Sequence, residues 1–194
     1  MVAEFPQDVE KILTVQDKVS ANAVKLLYAA TKEGGIDPAK IEENVKTIVS
    51  KQGKSVTPAQ YGWLHLALGA AYQSTIPADQ IASNAIAEEH KLNASKAIDA
   101  YCTAGISSHG AQMELPVEAM KRAQLLLWSM PGVQNEAKEM GHPTPQKFKK
   151  ASQNFQDAVS LAYMLINVYG VEAGDNTPIG KAAKLFQNLK AKKK

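Results

Sequence analysis

Residues 61–72 have the sequence YGWLHLALGAAY, which contains no lysine, arginine or acidic residue and places apolar residues nearly all round a helix. Residues 123–130 and 158–169 have a similar character. A helix without a polar face is stable in water only when other helices surround it. These three stretches therefore predict the central helices of an all-α fold.

Helix starts are marked by a capping residue that directly precedes a proline. Such pairs occur at residues 37–38, 57–58, 144–145 and 177–178. The cap side chain accepts an unpaired backbone N–H, and proline at the first helical position needs no donor of its own. Prolines 77 and 116 predict two more starts, and glycines 34, 35, 53, 105, 141 and 170 predict helix ends. The predicted helices span residues 7–33, 38–51, 58–74, 78–91, 93–103, 116–130, 133–140, 145–169 and 178–191.

We predict a compact all-α bundle of about eight or nine helices, with residues 1–194 as a single domain. The first two helices are amphipathic and are expected on the outside. Glycine and serine break the pattern in residues 103–114, where two lobes could meet. Residues 1–6 and 191–194 are expected to be flexible termini. The predicted core contains Trp63, Leu66, Leu126, Trp128, Val159, Tyr163 and Ile166.

The compartment is inferred from the single cysteine and from the absence of targeting segments. With one cysteine in 194 residues, no intrachain disulfide can form. The first residues do not follow the pattern of a secretory signal peptide. The apolar centre of the longest uncharged run, residues 61–72, would extend only about 18 Å as a helix, which is short of a bilayer core. We therefore expect a soluble, cytoplasmic protein.

No residue pattern indicates catalysis, a cofactor or a metal. The four histidines are far apart, and no pair has the spacing that puts two ligands on one helix face. No phosphate-binding glycine loop, dinucleotide motif or nucleophile elbow occurs. Cys102 and His109 could act as nucleophile and base across a glycine-rich loop, but a buried helix-end thiol is the favoured interpretation of Cys102. Residues 107–110 fit either a ligand-contacting loop or a plain connector.

Charge is distributed unevenly along the chain. Residues 1–143 carry 13 basic and 16 acidic side chains, whereas residues 144–194 carry 9 basic and 3 acidic ones. Arg122 is the only arginine, and lysine lacks the forked geometry that reads bases or phosphates in two contacts. The predicted nucleic-acid-binding residues are Lys147, Lys149, Lys150, Lys181, Lys184, Lys190, Lys192, Lys193 and Lys194.

The leading hypothesis is a non-enzymatic binding or assembly protein that engages a polyanion, RNA rather than DNA. It would self-associate as nucleocapsid and coat proteins do, using Val2, Phe5 and Pro6 as an apolar arm. One alternative is a small-molecule or lipid-binding protein with a pocket near Trp63, His65 and Tyr163. Another is attachment to a membrane or to a partner's groove through the basic C-terminal helix. A solvated lysine face with no partner is the plain explanation of the same charges.

Overall fold

The computed structural model describes residues 18–31, 37–110, 114–141 and 144–191. It confirms the all-α prediction, since these residues form ten α-helices, two short 3-10 helices and no strand. The predicted ends at residues 34 and 35 and the expected flexible residues 1–6 lie outside this range. The helices are α1 (Lys18–Thr31), α2 (Pro38–Gln52), α3 (Pro58–Gln73), α4 (Ala78–Ala82), α5 (Lys91–Ser107), α6 (Glu114–Ser129), α7 (Val133–Met140), α8 (Pro145–Lys149), α9 (Gln153–Asn167) and α10 (Pro178–Ala191), with 3-10 helices at Gly53–Ser55 and Glu88–His90.

The four helix starts predicted from a capping residue before proline are confirmed by hydrogen bonds, whereas the helix expected to start at residue 116 begins at Glu114. At α3, the Thr57 side chain accepts the Gln60 N–H at 3.3 Å, and the Gln60 side chain accepts the Thr57 N–H at 2.8 Å. Asp37, Thr144 and Thr177 accept N–H groups of the first turns of α2, α8 and α10 in the same way. These local contacts begin each helix without help from distant residues.

Three predicted helix boundaries are wrong. Residues 78–91 are not one helix, because Asn84 adopts a left-handed conformation with φ of 54° and the Ile86 N–H bonds to the Ser129 carbonyl. Residues 145–169 form two helices, because Ser152 caps a new start by accepting the Phe155 N–H. Gly105 does not end a helix but lies buried within α5.

The chain folds into two units, each built from two segments. The first contains residues 1–78 and 92–119, and the second contains residues 79–91 and 120–194. Residues 103–114 belong to the first unit. None of the described helices combines the length and the apolar content that a bilayer span requires.

Helix α3 is the centre of the first unit. Leu64, Ala67 and Ala71 are fully buried, and both α1 and α2 pack against α3. Glycines at two successive contact points let α5 approach closely. A Cβ at Gly69 would lie 2.6 Å from the Tyr101 ring, and a Cβ at Gly62 would lie 2.9 Å from Cβ of Ser108. The nearly all-apolar sequence of α3 is explained by these neighbours.

Helices α9 and α10 pack against each other in the second unit, and α9 also contacts α7. The buried face of α9 contains Phe155, Val159, Ala162 and Leu165, which follow helical spacing. Ala182, Ala183, Leu185 and Leu189 are buried on α10.

The core prediction is partly confirmed. Leu66, Leu126, Trp128 and Val159 are buried. The prediction is wrong for Trp63, Tyr163 and Ile166, which are only half-buried. Tyr163 stacks against Phe186 of α10 with ring centroids 4.1 Å apart, so the aromatic pair covers an edge of the α9–α10 contact and remains partly in water.

Candidate polyanion-binding surface

Lys147, Lys149 and Lys150 lie on the short helix α8 and its C-terminal cap, not in the first two turns of one long helix as the sequence suggested. The Lys150 N–H bonds to the Lys147 carbonyl at 3.1 Å, which closes the last turn. Because α9 starts separately at Ser152, these lysines precede that helix and do not lie within its first turns. We call these three residues the α8 lysine cluster.

Phe148 orients the α8 lysine cluster. Its ring is half-buried and lies 5.9 Å, between centroids, from the ring of the fully buried Phe155. With Phe148 turned towards α9, the neighbouring lysines turn away from it, and all three are exposed. This apolar contact anchors α8 against α9 and leaves the three lysines exposed to solvent.

Two carboxylates share a groove with the cluster, and one of them is held by another contact. Lys147 and Lys150 line a groove of about 320 Å³ together with Glu136 and Glu139. The Glu136 carboxylate accepts the backbone N–H of Ser152 at 3.0 Å. Within the described parts of the chain, none of the three lysines forms an ion pair. Their charges are therefore available to an external anion.

The other predicted lysines differ from the cluster. Lys181 is exposed one turn before Lys184 on α10, whereas Lys184 forms a 2.8 Å ion pair with Asp175. The Lys190 side chain and residues 192–194, which belong to the predicted flexible end 191–194, lie outside what the structure describes. Of the nine predicted residues, three therefore lie within four positions of the chain, exposed and without an ion pair among the described residues.

The packing of α10 bears on the membrane and groove alternative. Ala182, Ala183, Leu185 and Leu189 of α10 are buried, and α10 packs against α9. The apolar face that a lipid surface or a partner's groove would require is therefore already occupied within the second unit.

Sequence reasoning missed a cleft of about 500 Å³ between the end of α9, the following loop and the start of α10. Ile166, Val171 and Ala183 line it together with Glu172 and the Lys184–Asp175 pair. A Cβ at Gly180 would lie 2.2 Å from the Gly174 carbonyl oxygen, so glycine allows the loop to lie directly on α10. Glycines 170, 174 and 180 are the sequence feature that could have indicated this cleft.

The residues of the alternative pocket belong to different units, Trp63 and His65 to the first and Tyr163 to the second. His65 lies beside Tyr61, with ring centroids 4.4 Å apart, and burial lowers its pKa. Among the described residues its Nδ1 has no hydrogen-bond partner. Among all the residues that the structure describes, no group of three His, Cys, Asp or Glu side chains is placed to hold a metal ion.

The proposed nucleophile and base have different surroundings. Cys102 is half-buried in α5, and His109 is exposed in the turn that follows α5. Ser108 of the suggested ligand loop is fully buried and donates its hydroxyl to the Ala104 carbonyl at 2.7 Å. Ser108 is thus committed to the helix end, which favours the connector interpretation.

A polar network that the sequence did not indicate joins α2, α3 and α5. The Tyr72 hydroxyl donates to Glu42, and the Lys96 ammonium lies 3.3 Å from the Tyr72 oxygen. Lys46 donates to Glu42 at 2.7 Å. The hydrogen bond from Lys46, and then that from Tyr72, lower the pKa of Glu42. Burial, and then the hydrogen bond to Glu42, raise the pKa of Tyr72. The network ties three helices together and is a structural feature.

No protein-family model, curated protein or solved structure matches this chain.

Proposed function

We propose that this protein binds a polyanion through the α8 lysine cluster, that the polyanion is RNA, and that the protein acts as a binding or assembly factor, not as an enzyme. The observation that supports this proposal is the exposure of three lysines within four residues, none of them ion-paired in the described chain. An anion that binds here does not have to displace an internal carboxylate partner. Binding releases the counterions of the phosphates, which favours association.

The chemistry of the cluster favours recognition of the backbone over recognition of bases. Lysine presents a point charge without the fork that arginine offers to a base edge. Affinity should therefore depend on contacts to phosphates and little on base sequence.

The size of the cluster favours a flexible strand. Helix α8 has five residues and is about 7.5 Å long. At about 100° per residue, Lys147 and Lys149 point to different sides of α8. A single strand can bend so that its phosphates reach both sides, whereas duplex DNA, which is stiff over about 150 base pairs, meets one side. Single-stranded RNA is thus a better match than double-stranded DNA.

Self-association is part of the proposal because three lysines bind weakly alone. Several copies on one strand would add their contacts, so that binding strengthens with strand length. The apolar arm, Val2, Phe5 and Pro6, lies outside the described residues. Sedimentation of the protein with short and long RNA measures this directly, and a protein that stays monomeric on long RNA would contradict the assembly part.

Binding itself is tested with the full chain and a fluorescently labelled, mixed-sequence RNA oligonucleotide. Anisotropy titrations at increasing salt should give an affinity that falls linearly on a logarithmic plot. A duplex DNA of equal phosphate number serves as the comparison and should bind more weakly. An affinity that ignores salt would contradict phosphate binding.

A further inference from the structure

We infer that Glu136 makes the α8 lysine cluster selective for an extended polyanion over a compact anion such as free phosphate; this inference rests on the proposed function. Glu136 belongs to α7, yet its carboxylate reaches the first residue before α9, where it accepts the Ser152 N–H at 3.0 Å. Lys147 and Lys150 line the same groove. The groove thus contains one carboxylate, which is bound to the start of α9, and two lysines.

Helix α9 holds this carboxylate in place. The first N–H groups of a helix have no partner inside the helix, and the positive end of the helix dipole favours a negative charge there. Glu136 forms this contact and no ion pair with either lysine. The contact fixes the position of the carboxylate, and the lysine charges stay unpaired.

The position that Glu136 occupies is the one that a small anion would prefer. A compact anion gains most where helix N–H groups and lysines converge, and here it would meet the Glu136 carboxylate and a second carboxylate, Glu139, in the same groove. An extended chain of phosphates does not need that position. It can contact the outward sides of Lys147, Lys149 and Lys150, all of which are exposed.

Two substitutions distinguish the effect of the Glu136 charge from the effect of the space that its side chain fills. In Glu136→Gln the amide oxygen still accepts the Ser152 N–H while the charge is lost, and Glu136→Ala vacates the position. Glu172→Gln is the matched control, since Glu172 is exposed, lies in the same unit and lines a different cleft. Each protein is titrated with labelled RNA, and the complex is then challenged with inorganic phosphate or with sodium chloride of equal ionic strength.

For the unmodified protein, phosphate should displace no more RNA than sodium chloride does. For Glu136→Ala, phosphate should displace RNA at a lower ionic strength than sodium chloride. Glu136→Gln should bind RNA about two- to fivefold more tightly, the effect of removing one half-buried charge near the cluster, and Glu172→Gln should change little. Thermal melting of each variant checks that α9 is intact.

Equal phosphate competition in the unmodified protein and Glu136→Ala, or equal gains from Glu136→Gln and Glu172→Gln, would overturn the inference. Failure of the proposed function has a different signature, measured in parallel with the cluster variant Lys147→Gln, Lys149→Gln and Lys150→Gln. If this variant binds RNA as well as the unmodified protein, the proposed function fails. If it loses binding while the Glu136 variants behave as the unmodified protein, only the selectivity by Glu136 fails.

Discussion

Replacing Lys147, Lys149 and Lys150 together with glutamine removes three exposed positive charges. It leaves unchanged Phe148, the residue of α8 that packs against α9. The contact between Phe148 and Phe155, 5.9 Å between ring centroids, does not involve the substituted side chains. Glutamine has a helix propensity close to that of lysine. The variant should therefore fold as the unmodified protein does, and any loss of RNA binding reports on the charges.

The magnitude follows from the number of phosphates that the cluster can neutralise. Each contact to a single strand contributes about −0.7 to the slope of log affinity against log salt concentration, so three contacts contribute about −2. Between about 50 and about 200 mM salt, these three contacts account for a roughly 20-fold loss of affinity. The variant should lack this part of the salt dependence and should bind more weakly at the lowest salt.

The assay is fluorescence anisotropy of a labelled RNA oligonucleotide at four or more salt concentrations. The matched control is Lys25→Gln, Lys40→Gln and Lys51→Gln, since these lysines are exposed in the first unit and their loss changes the net charge equally. The control should keep the slope. An equal reduction of the slope in the control and the cluster variant would show that net charge alone drives binding and would refute the assignment to α8.

Further predictions concern the stability of the first unit. Gly69→Ala should lower the free energy of unfolding by about 1–3 kcal/mol, because its Cβ would lie 2.6 Å from the fully buried Tyr101 ring; an unchanged denaturation midpoint would contradict this packing. Thr57→Ala should cost about 1 kcal/mol by removing the α3 cap, measured by denaturant unfolding against Thr47→Ala, an exposed mid-helix change that should not destabilise. The pKa of Glu42 is lowered on folding, so the unfolded chain binds the proton more readily, and stability should fall as pH drops below the ordinary value of 4.5. Unfolding measured from neutral to acid pH should show a smaller decline for Glu42→Gln, and identical declines would rule out this contribution.

Helix class and most helix starts could be read from the sequence because they depend on near neighbours. A cap and the N–H that it accepts are three residues apart at Thr57 and Gln60, so the pattern is visible without a fold. The absence of a polar face in residues 61–72 similarly predicted a surrounded helix, and α3 is one. The interruption before Ser152 was missed because lysines, alanine and serine do not exclude a continuous helix.

The charge pattern predicted where cations are concentrated but not which of them remain unpaired. Asp175 pairs with Lys184 across a loop and a helix turn, and Glu136 binds a backbone N–H that lies 16 residues later in the chain. Such partners are chosen by the packing of helices against one another. The tertiary structure alone therefore decided that the α8 lysine cluster keeps its charge available, because an ion pair depends on distance in space, which helix periodicity does not encode.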